Sequence, residues 1–417
     1  MNDATQKKLE ILAESAKYDV SCASSGTTRK HEKGKVGSTN GWGICHSFTG
    51  DGRCVSLLKL MMTNHCIYDC AYCINRRSND LPRATLSPSE ITTLTMEFYR
   101  RNYIEGLFLS SGVIRNPDYT MERMVRIAKD LRTLNRFNGY IHLKSIPGAS
   151  RELVDEAGLY ADRLSVNIEI PTEQNLLLLA PEKNYTDIYR PMTYIYQGIR
   201  QIAEDKKKFR NTPRFVPAGQ STQMIVGATS ENDSHILRMS SALYSQRGLK
   251  RVYYSGFVPV NAYDTRLPSL KQPPLVRENR LYQADWLMRF YGFTAAEIAN
   301  DSHPDLDLEI DPKLSWALRH PQAFPVDINR ADYELILRVP GIGVKSAQMI
   351  ISARRYGSLT AAALKKIGVV MKKAQYFITC NELVANTVNE LRPENVRRLL
   401  LPNRGDRKFD PNQTRLF

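Results

Sequence analysis

From residue 55 to about 290, short apolar runs alternate with segments whose apolar residues recur every three or four positions. That alternation predicts βα units around a parallel sheet. Six runs read as strands: Val55–Thr63, Gly106–Ser111, Tyr140–Ser145, Arg163–Glu169, Thr222–Ala228 and Arg251–Phe257. Between them lie helical patterns. Ser87–Asn102 opens on SPSE, a capping box, Asp118–Asn135 follows, and the longer Ile188–Arg210 closes on the basic stretch KKKFR. The amino-terminal MNDATQKKLEILAESAKYDV reads as a polar amphipathic helix. The Gly- and Ser-rich segment after it, SCASSGTTRKHEKGKVGSTNGWGICHSFTGDGRC, is too rich in turn formers for a regular element and is expected to be a long loop. Beyond the sixth pair, HPDLDLEIDPKLSWALRHPQAFPVDINRA reads as a linker with short helical turns, and helix patterns dominate from there to about residue 401.

The first strand runs into Cys66-Ile-Tyr-Asp-Cys70-Ala-Tyr72-Cys73, which puts three thiols within eight residues. At the carboxyl end of a strand, a loop of an α/β fold stands where chemistry is usually done. Two ligand readings follow. A zinc ion would need a fourth ligand such as His65 or His46, although zinc loops usually pair their cysteines as two separate hooks. An iron–sulfur cluster normally takes four thiolates. With three, one iron keeps an open position for a substrate or cofactor.

A second motif lies near the carboxyl end, where the helix pattern Ala331–Val339 meets Pro340-Gly341-Ile342-Gly343-Val344-Lys345-Ser346 and a further helix through Arg355. Two glycines permit a tight turn and bring bare N–H groups of a helix start close to a phosphate oxygen. Lys345 adds a charge and Ser346 a donor. Arg338, Arg354, Arg355, Lys365, Lys366, Lys372 and Lys373 surround the motif in sequence. Downstream, the stretch from Leu364 to Gln375 echoes the spacing with the single glycine Gly368 and reads as a degenerate second copy with a mainly structural role.

Composition sharpens this. The chain has 417 residues, 58 Lys and Arg against 43 Asp and Glu, a net charge of +15 and a pI near 9.4. A polyanionic partner such as nucleic acid is a natural expectation for that excess, and a basic solvated surface is the plain alternative. No run approaches the roughly 18 apolar residues of a membrane span, and the first residues do not form a signal peptide. Seven cysteines, three of them in one loop, do not make a disulfide framework, so a reducing cytoplasm is expected. Cys22, Cys45 and Cys54 fall in the long loop, with His46 beside Cys45, and offer an auxiliary metal or cluster site or simply small buried side chains. Arg29, Lys30, Lys33 and Lys35 of that loop are candidates for phosphate contact or for a solvated face.

Cys-x3-Cys-x2-Cys with Tyr72 before the last cysteine resembles the signature of the radical S-adenosylmethionine (SAM) superfamily. The resemblance implies a partial (β/α)6 TIM-like barrel, a [4Fe-4S] cluster on Cys66, Cys70 and Cys73, and SAM chelated at the open iron. Reductive cleavage of SAM then gives methionine and a 5′-deoxyadenosyl radical that abstracts hydrogen from a substrate. It also implies a reducing electron donor such as flavodoxin or ferredoxin. On the same basis Ser110-Ser111-Gly112 takes the place of the glycine-rich motif that binds the SAM amino group. Asn167 and Glu169, two apart at the end of the fourth strand, would hold ribose or the methionine part. Gln223 and Ile225 sit in a pattern similar to the adenine-contacting one, and Lys144 and Ser145 are further candidates. No residue of the sequence stands out as a second hydrogen donor, and Tyr253, Tyr254 and Cys380 are the candidates.

The PGIG turn resembles the helix-hairpin-helix of DNA repair proteins. Gln413-Thr-Arg-Leu416-Phe417 resembles peptides that bind the sliding clamp. Taken together, these features resemble putative DNA modification or repair radical SAM proteins, including the YDVSC segment at Cys22. That family implies double-stranded DNA as partner and a companion similar to uracil-DNA glycosylases. The expected organisation is an α/β chain: 1–54 a helix and Cys-containing loop, 55–292 the radical SAM core, and 293–326 a linker. An all-α helix-hairpin-helix domain would occupy 327–401 and a flexible tail 402–417. A radical SAM enzyme acting on RNA or tRNA, and a non-catalytic iron–sulfur DNA-binding adaptor, are the alternatives.

Overall fold

A computed structural model describes residues 3–16, 44–48, 54–381, 383 and 387–401. They form two compact units, one built from the described residues up to 231 and from 242–274, the other from 232–241 and the described residues of 275–401.

The first unit is a seven-stranded sheet in strict chain order: β1 (Ile44–Phe48), β2 (Cys54–Met61), β3 (Gly106–Ser110), β4 (Tyr140–Lys144), β5 (Arg163–Ser165), β6 (Gln220–Val226) and β7 (Arg251–Gly256). From β2 to β7 every pairing is parallel, which makes six parallel strands in sequential order. Its helices are α1 (Asp3–Ala16), α2 (Pro88–Arg100), α3 (Pro117–Thr133), α4 (Arg151–Tyr160), α5 (Glu173–Leu179) and α6 (Tyr185–Lys208), while α7 (Asp233–Arg247) is divided between the two units. The result is a curled parallel half-barrel. The physical basis is visible in the strands: all five residues of β3 are buried, as parallel strands covered on both faces require. Ser87 caps α2 by accepting from the Glu90 N–H while Glu90 returns the bond, the capping box read from SPSE.

Two expectations are corrected here. The segment expected to be a loop contains β1, antiparallel to β2; its ICHSF sequence is too short to show a period between turn formers. The fourth strand stops at Ser165, and the chain next pairs with β6 as an isolated Glu169–Met224 bridge. Glu169 has φ +66 there, so Asn167 and Glu169 are not successive positions of one regular strand.

The second unit contains α8 (Leu275–Phe290), α9 (Ala295–Ile298), α10 (Pro312–Arg319), α11 (Tyr333–Arg338), α12 (Val344–Ala353), α13 (Ala361–Ile367), α14 (Met371–Ala374), α15 (Val388–Leu391) and α16 (Pro393–Leu400). It is not all-α. β8 (Val326–Asp327) pairs in parallel with β9 (Ile378–Thr379), a two-residue ladder too short to carry a sequence period. That ladder sits beside an aromatic core in which Phe324 meets Trp316 and Phe377 edge to face. No described helix is long and apolar enough to cross a membrane.

Candidate functional site

The three-thiol loop leaves β2 and is fixed by polar contacts from several parts of the chain. Gly112, at the end of β3, donates its N–H to Thr63 O at 2.8 Å, and the next residue receives the Ile67 N–H at 2.8 Å. Val113 N–H also points at Cys66 Sγ, 3.4 Å away. A Cβ on Gly112 would lie 2.2 Å from His65 O, so only glycine allows this approach. Arg83 donates to the carbonyls of Asn75 (2.9 Å), Arg76 (2.7 Å) and Asn79 (2.9 Å), gathering the far half of the loop around one guanidinium.

The chain after β7 closes over the same loop. Asn261, 1% exposed, donates to Ala71 O at 2.7 Å and Cys73 O at 3.0 Å, and accepts from Asn79 Nδ2 at 2.8 Å. Arg76 is held bidentately by Asp69 (3.0 and 2.7 Å) and reaches Asp264 at 2.6 Å, which Arg266 grips in turn at 2.9 and 2.6 Å. Hydrogen bonds from the guanidinium of Arg76, and from Arg266 at the other end, keep both carboxyls far below the usual carboxylate range. None of these fastenings was legible in sequence, because Asn261 and Asp264 lie about 190 positions from the loop.

Cys66, Cys70 and Cys73 open into one pocket at the carboxyl ends of the strands. Its wall also includes Tyr72, Ser111, Gly112, Lys144, Ser145, Asn167, Glu169, Gln223 and Ile225. Nine of the ten residues proposed for SAM contact thus line one cavity. Ser110 lies just beneath, 1% exposed, and its Oγ finds no partner among the described residues. Asn167 Nδ2 reaches Gln223 Oε1 at 3.4 Å.

Sequence reasoning missed Lys183, whose Nζ stands 3.3 Å from Tyr72 Oη and 3.9 Å from Glu169 Oε1. Lys144, at the carboxyl end of β4, approaches the same Glu169 oxygen at 3.9 Å. Burial works against the Lys183 charge, but the thiols, Tyr72 and Glu169 around it outweigh that, and its pKa stands well above the ordinary lysine value. The signal available was Lys183 following Leu179-Ala-Pro-Glu after a helix, which marks a loop and nothing more. Tyr254 is fully buried and Tyr253 receives Arg163; neither reaches the pocket, and Cys380 is buried in the second unit.

The donor set suits a cluster better than one ion. Among the described residues no three His, Cys, Asp or Glu side chains gather closely enough for a single metal ion. Three thiols on one pocket wall supply one ligand to each of three irons and leave a fourth iron open. His65 is exposed and faces a separate recess, so the zinc reading lacks its fourth ligand there. The side chain of His46 lies outside the described residues, as do those of Cys45 and Cys54. Burial raises the Cys70 pKa and pushes Cys73 up to about 12, so these sulfurs become thiolates only against compensating positive charge, which irons would provide. Cys22, with the phosphate candidates Arg29, Lys30, Lys33 and Lys35, and Gln413, Leu416 and Phe417 also lie outside the described residues.

In the second unit, α11 and α12 flank the Pro340–Gly343 turn. Gly341 has φ +88, and a Cβ there would lie 2.7 Å from Val370 O. Val370 returns its N–H to Gly341 O at 2.9 Å, so the degenerate repeat clasps the first turn. Pro340 and Ile342 are buried, and Ile342 O accepts from the buried Lys313 at 2.6 Å. Gly343 is the N-cap of α12, with Lys345 exposed beside it. Ser346 is buried toward Gly368. Arg338, Arg354 and Lys373 are committed internally, to Glu297, to the Ile328 and Ala331 carbonyls, and to Asp311. Lys345, Arg355, Lys365, Lys366 and Lys372 are exposed.

No curated protein matches the chain in sequence. Among solved structures, the [FeFe]-hydrogenase maturase HydG from Carboxydothermus hydrogenoformans is similar at 12% identity, over 82% of this chain and 75% of that one, with a TM-score of 0.43. A second HydG structure gives 14% identity and a TM-score of 0.40 over 55% of this chain. The alignment spans 48% of that protein's length. Methylornithine synthase (PylB) gives 14% identity, 68% of each chain and a TM-score of 0.37. Members of the Radical SAM superfamily bind a [4Fe-4S] cluster and SAM, and residues 60–241 match that family's profile. The stretch from the second half of β2 into α7, which carries the three thiols and strands β3 to β6, is therefore a Radical SAM superfamily domain.

Proposed function

We propose that the chain is a radical SAM enzyme that acts on DNA, modifying or repairing it. The observation that carries the enzymatic half is the convergence of Cys66, Cys70 and Cys73 with Lys144, Glu169 and Lys183 in one strand-end pocket. Bound there, the cluster and SAM supply one-electron cleavage and hydrogen abstraction. The chain's own residues do the rest. The three thiolates hold the cluster, and the backbone at Ser111 and Gly112 offers polar groups to an amino function. Lys144 and Lys183 present positive charge on either side of Glu169, an arrangement able to orient a zwitterionic amino acid moiety. Ile146, Pro147, Phe257, Val258 and Val260 form an apolar wall of the pocket that limits water access to a reactive centre.

The nucleic-acid half rests on the second unit. The α11–α12 turn combines a glycine N-cap on a ten-residue helix with exposed Lys345, Arg355, Lys365, Lys366 and Lys372. Such contacts position a protein on a duplex without reading its sequence. A base in the stack is out of reach of the pocket, so the reading requires flipping or a lesion that weakens pairing. The test is transfer of deuterium from a labelled duplex oligonucleotide to 5′-deoxyadenosine by the anaerobically reconstituted protein. Replacement of Cys66, Cys70 and Cys73 together by Ala is expected to abolish 5′-deoxyadenosine formation with dithionite. Tighter binding of tRNA than of duplex DNA would move the substrate to RNA.

A further inference from the structure

Cys66 also borders a second recess, lined with it by His65, Ile67, Arg77, Arg83 and Arg115, with Ile114 and Tyr119 completing it. Cys66 belongs to both. The recess is cationic. Arg77, Arg115 and His65 are exposed, and among the described residues neither Arg77 nor Arg115 has a carboxylate partner. Arg115 is built into place with φ +60 and its guanidinium 4.5 Å from the Tyr119 ring, which Arg123 approaches at 5.5 Å. The nearby carboxylates are partly used elsewhere: Asp69 by Arg76, and Asp118 by the Ser150 N–H. The lining itself carries three arginines and a histidine and no carboxylate.

A charged recess against a ligand thiol has a use that a charged surface elsewhere lacks. If the thiols hold a cluster, as proposed above, an electron has to enter from outside the pocket that SAM and substrate fill, and Cys66 is the shared wall. We infer that this recess is the docking face for a small acidic one-electron carrier protein, which delivers its electron to the cluster through Cys66. One electron leaves the carrier and reduces the cluster by one unit; no bond forms or breaks in that step. Complementary charge would accelerate the encounter by about 10- to 1000-fold and make it sensitive to ionic strength.

The experiment uses the full-length reconstituted protein and, as probe, the fully reduced form of a bacterial flavodoxin. Bleaching of the cluster absorbance is followed by anaerobic stopped flow, with dithionite as a reductant that needs no docking face. R77E/R115E is expected to lower the flavodoxin rate constant at least tenfold and to flatten its salt dependence, with the dithionite rate unchanged. Because Arg77 also donates to Ile67 O at 3.2 Å, R115E alone serves as the second variant, with the same direction expected. Equal flavodoxin rates in wild type and both variants overturn the docking face. So does selective loss of duplex DNA binding with flavodoxin reduction intact, which would make the recess a phosphate site. A wild-type protein that dithionite itself does not reduce refutes instead the cluster reading on which this rests.

Discussion

Asn261 offers the sharpest test of how the three-thiol loop is held. Its amide donates twice into the loop and accepts once, at 1% exposure. Replacing it by Ala removes those bonds and leaves the Ala71 and Cys73 carbonyls without a donor from this side chain. A lost hydrogen bond costs about 0.5–1.5 kcal/mol net, and a buried group left unsatisfied about 1–3 kcal/mol. A local destabilisation of about 2–4 kcal/mol is therefore expected. At 1.4 kcal/mol per decade, this is roughly 30- to 1000-fold more frequent opening of the loop. Asn261→Asp is stricter, since it keeps the shape but sets a carboxylate oxygen against two carbonyl oxygens. The assay is pulsed alkylation of the metal-free protein, with the labelling of Cys70 and Cys73 read separately by peptide mass spectrometry, alongside iron content after reconstitution. Both variants should label faster and bind less iron, Asp more so than Ala. Wild-type labelling rates in Asn261→Asp would refute the reasoning, because shape alone would then hold the loop.

Gly112→Ala forces its Cβ to 2.2 Å from His65 O, so the β3 end or the thiol loop has to shift; a cost of about 1–3 kcal/mol and reduced iron binding are expected from urea unfolding and iron analysis. Burial lowers the pKa of Lys313 from 10.5 to about 7 in the folded chain. Between those values the unfolded chain binds a proton that the folded one does not. Stability should thus rise as pH is raised from 7 toward 10 and fall again as pH returns toward 7; Lys313→Met should flatten that slope in urea titrations followed by tryptophan fluorescence. Lys345→Ala and Lys366→Ala should weaken duplex binding about equally for all sequences and each reduce the salt slope by about one, measured by fluorescence anisotropy. Gly341→Ala combines a φ of +88 with a 2.7 Å approach to Val370 O, so it should unfold at lower urea and lose duplex affinity in the same assays.

The alternation of apolar runs and amphipathic segments was enough to predict six βα pairs, and each of the six strands is present within a few residues of its expected place. A period of two or of 3.6 is written locally, and burial against neighbouring layers enforces it. The three thiols were legible for the same reason: eight consecutive residues carry them. What the sequence could not show is what meets what across long separations. β1 and the β8–β9 pair are too short to show a period, and only pairing with β2, or with each other, makes them strands. Lys183 and Asn261 are ordinary loop residues until folding brings one 3.3 Å from Tyr72 and the other under Ala71 and Cys73. Arg338 and Lys373 counted as cations for DNA in the sequence, and tertiary structure spends them on Glu297 and Asp311. Local pattern determined the elements and the sulfur ligands. The pocket's charge, the fastening of its loop and the choice of which basic residues stay exposed were decided by contacts between distant residues, which no periodicity encodes.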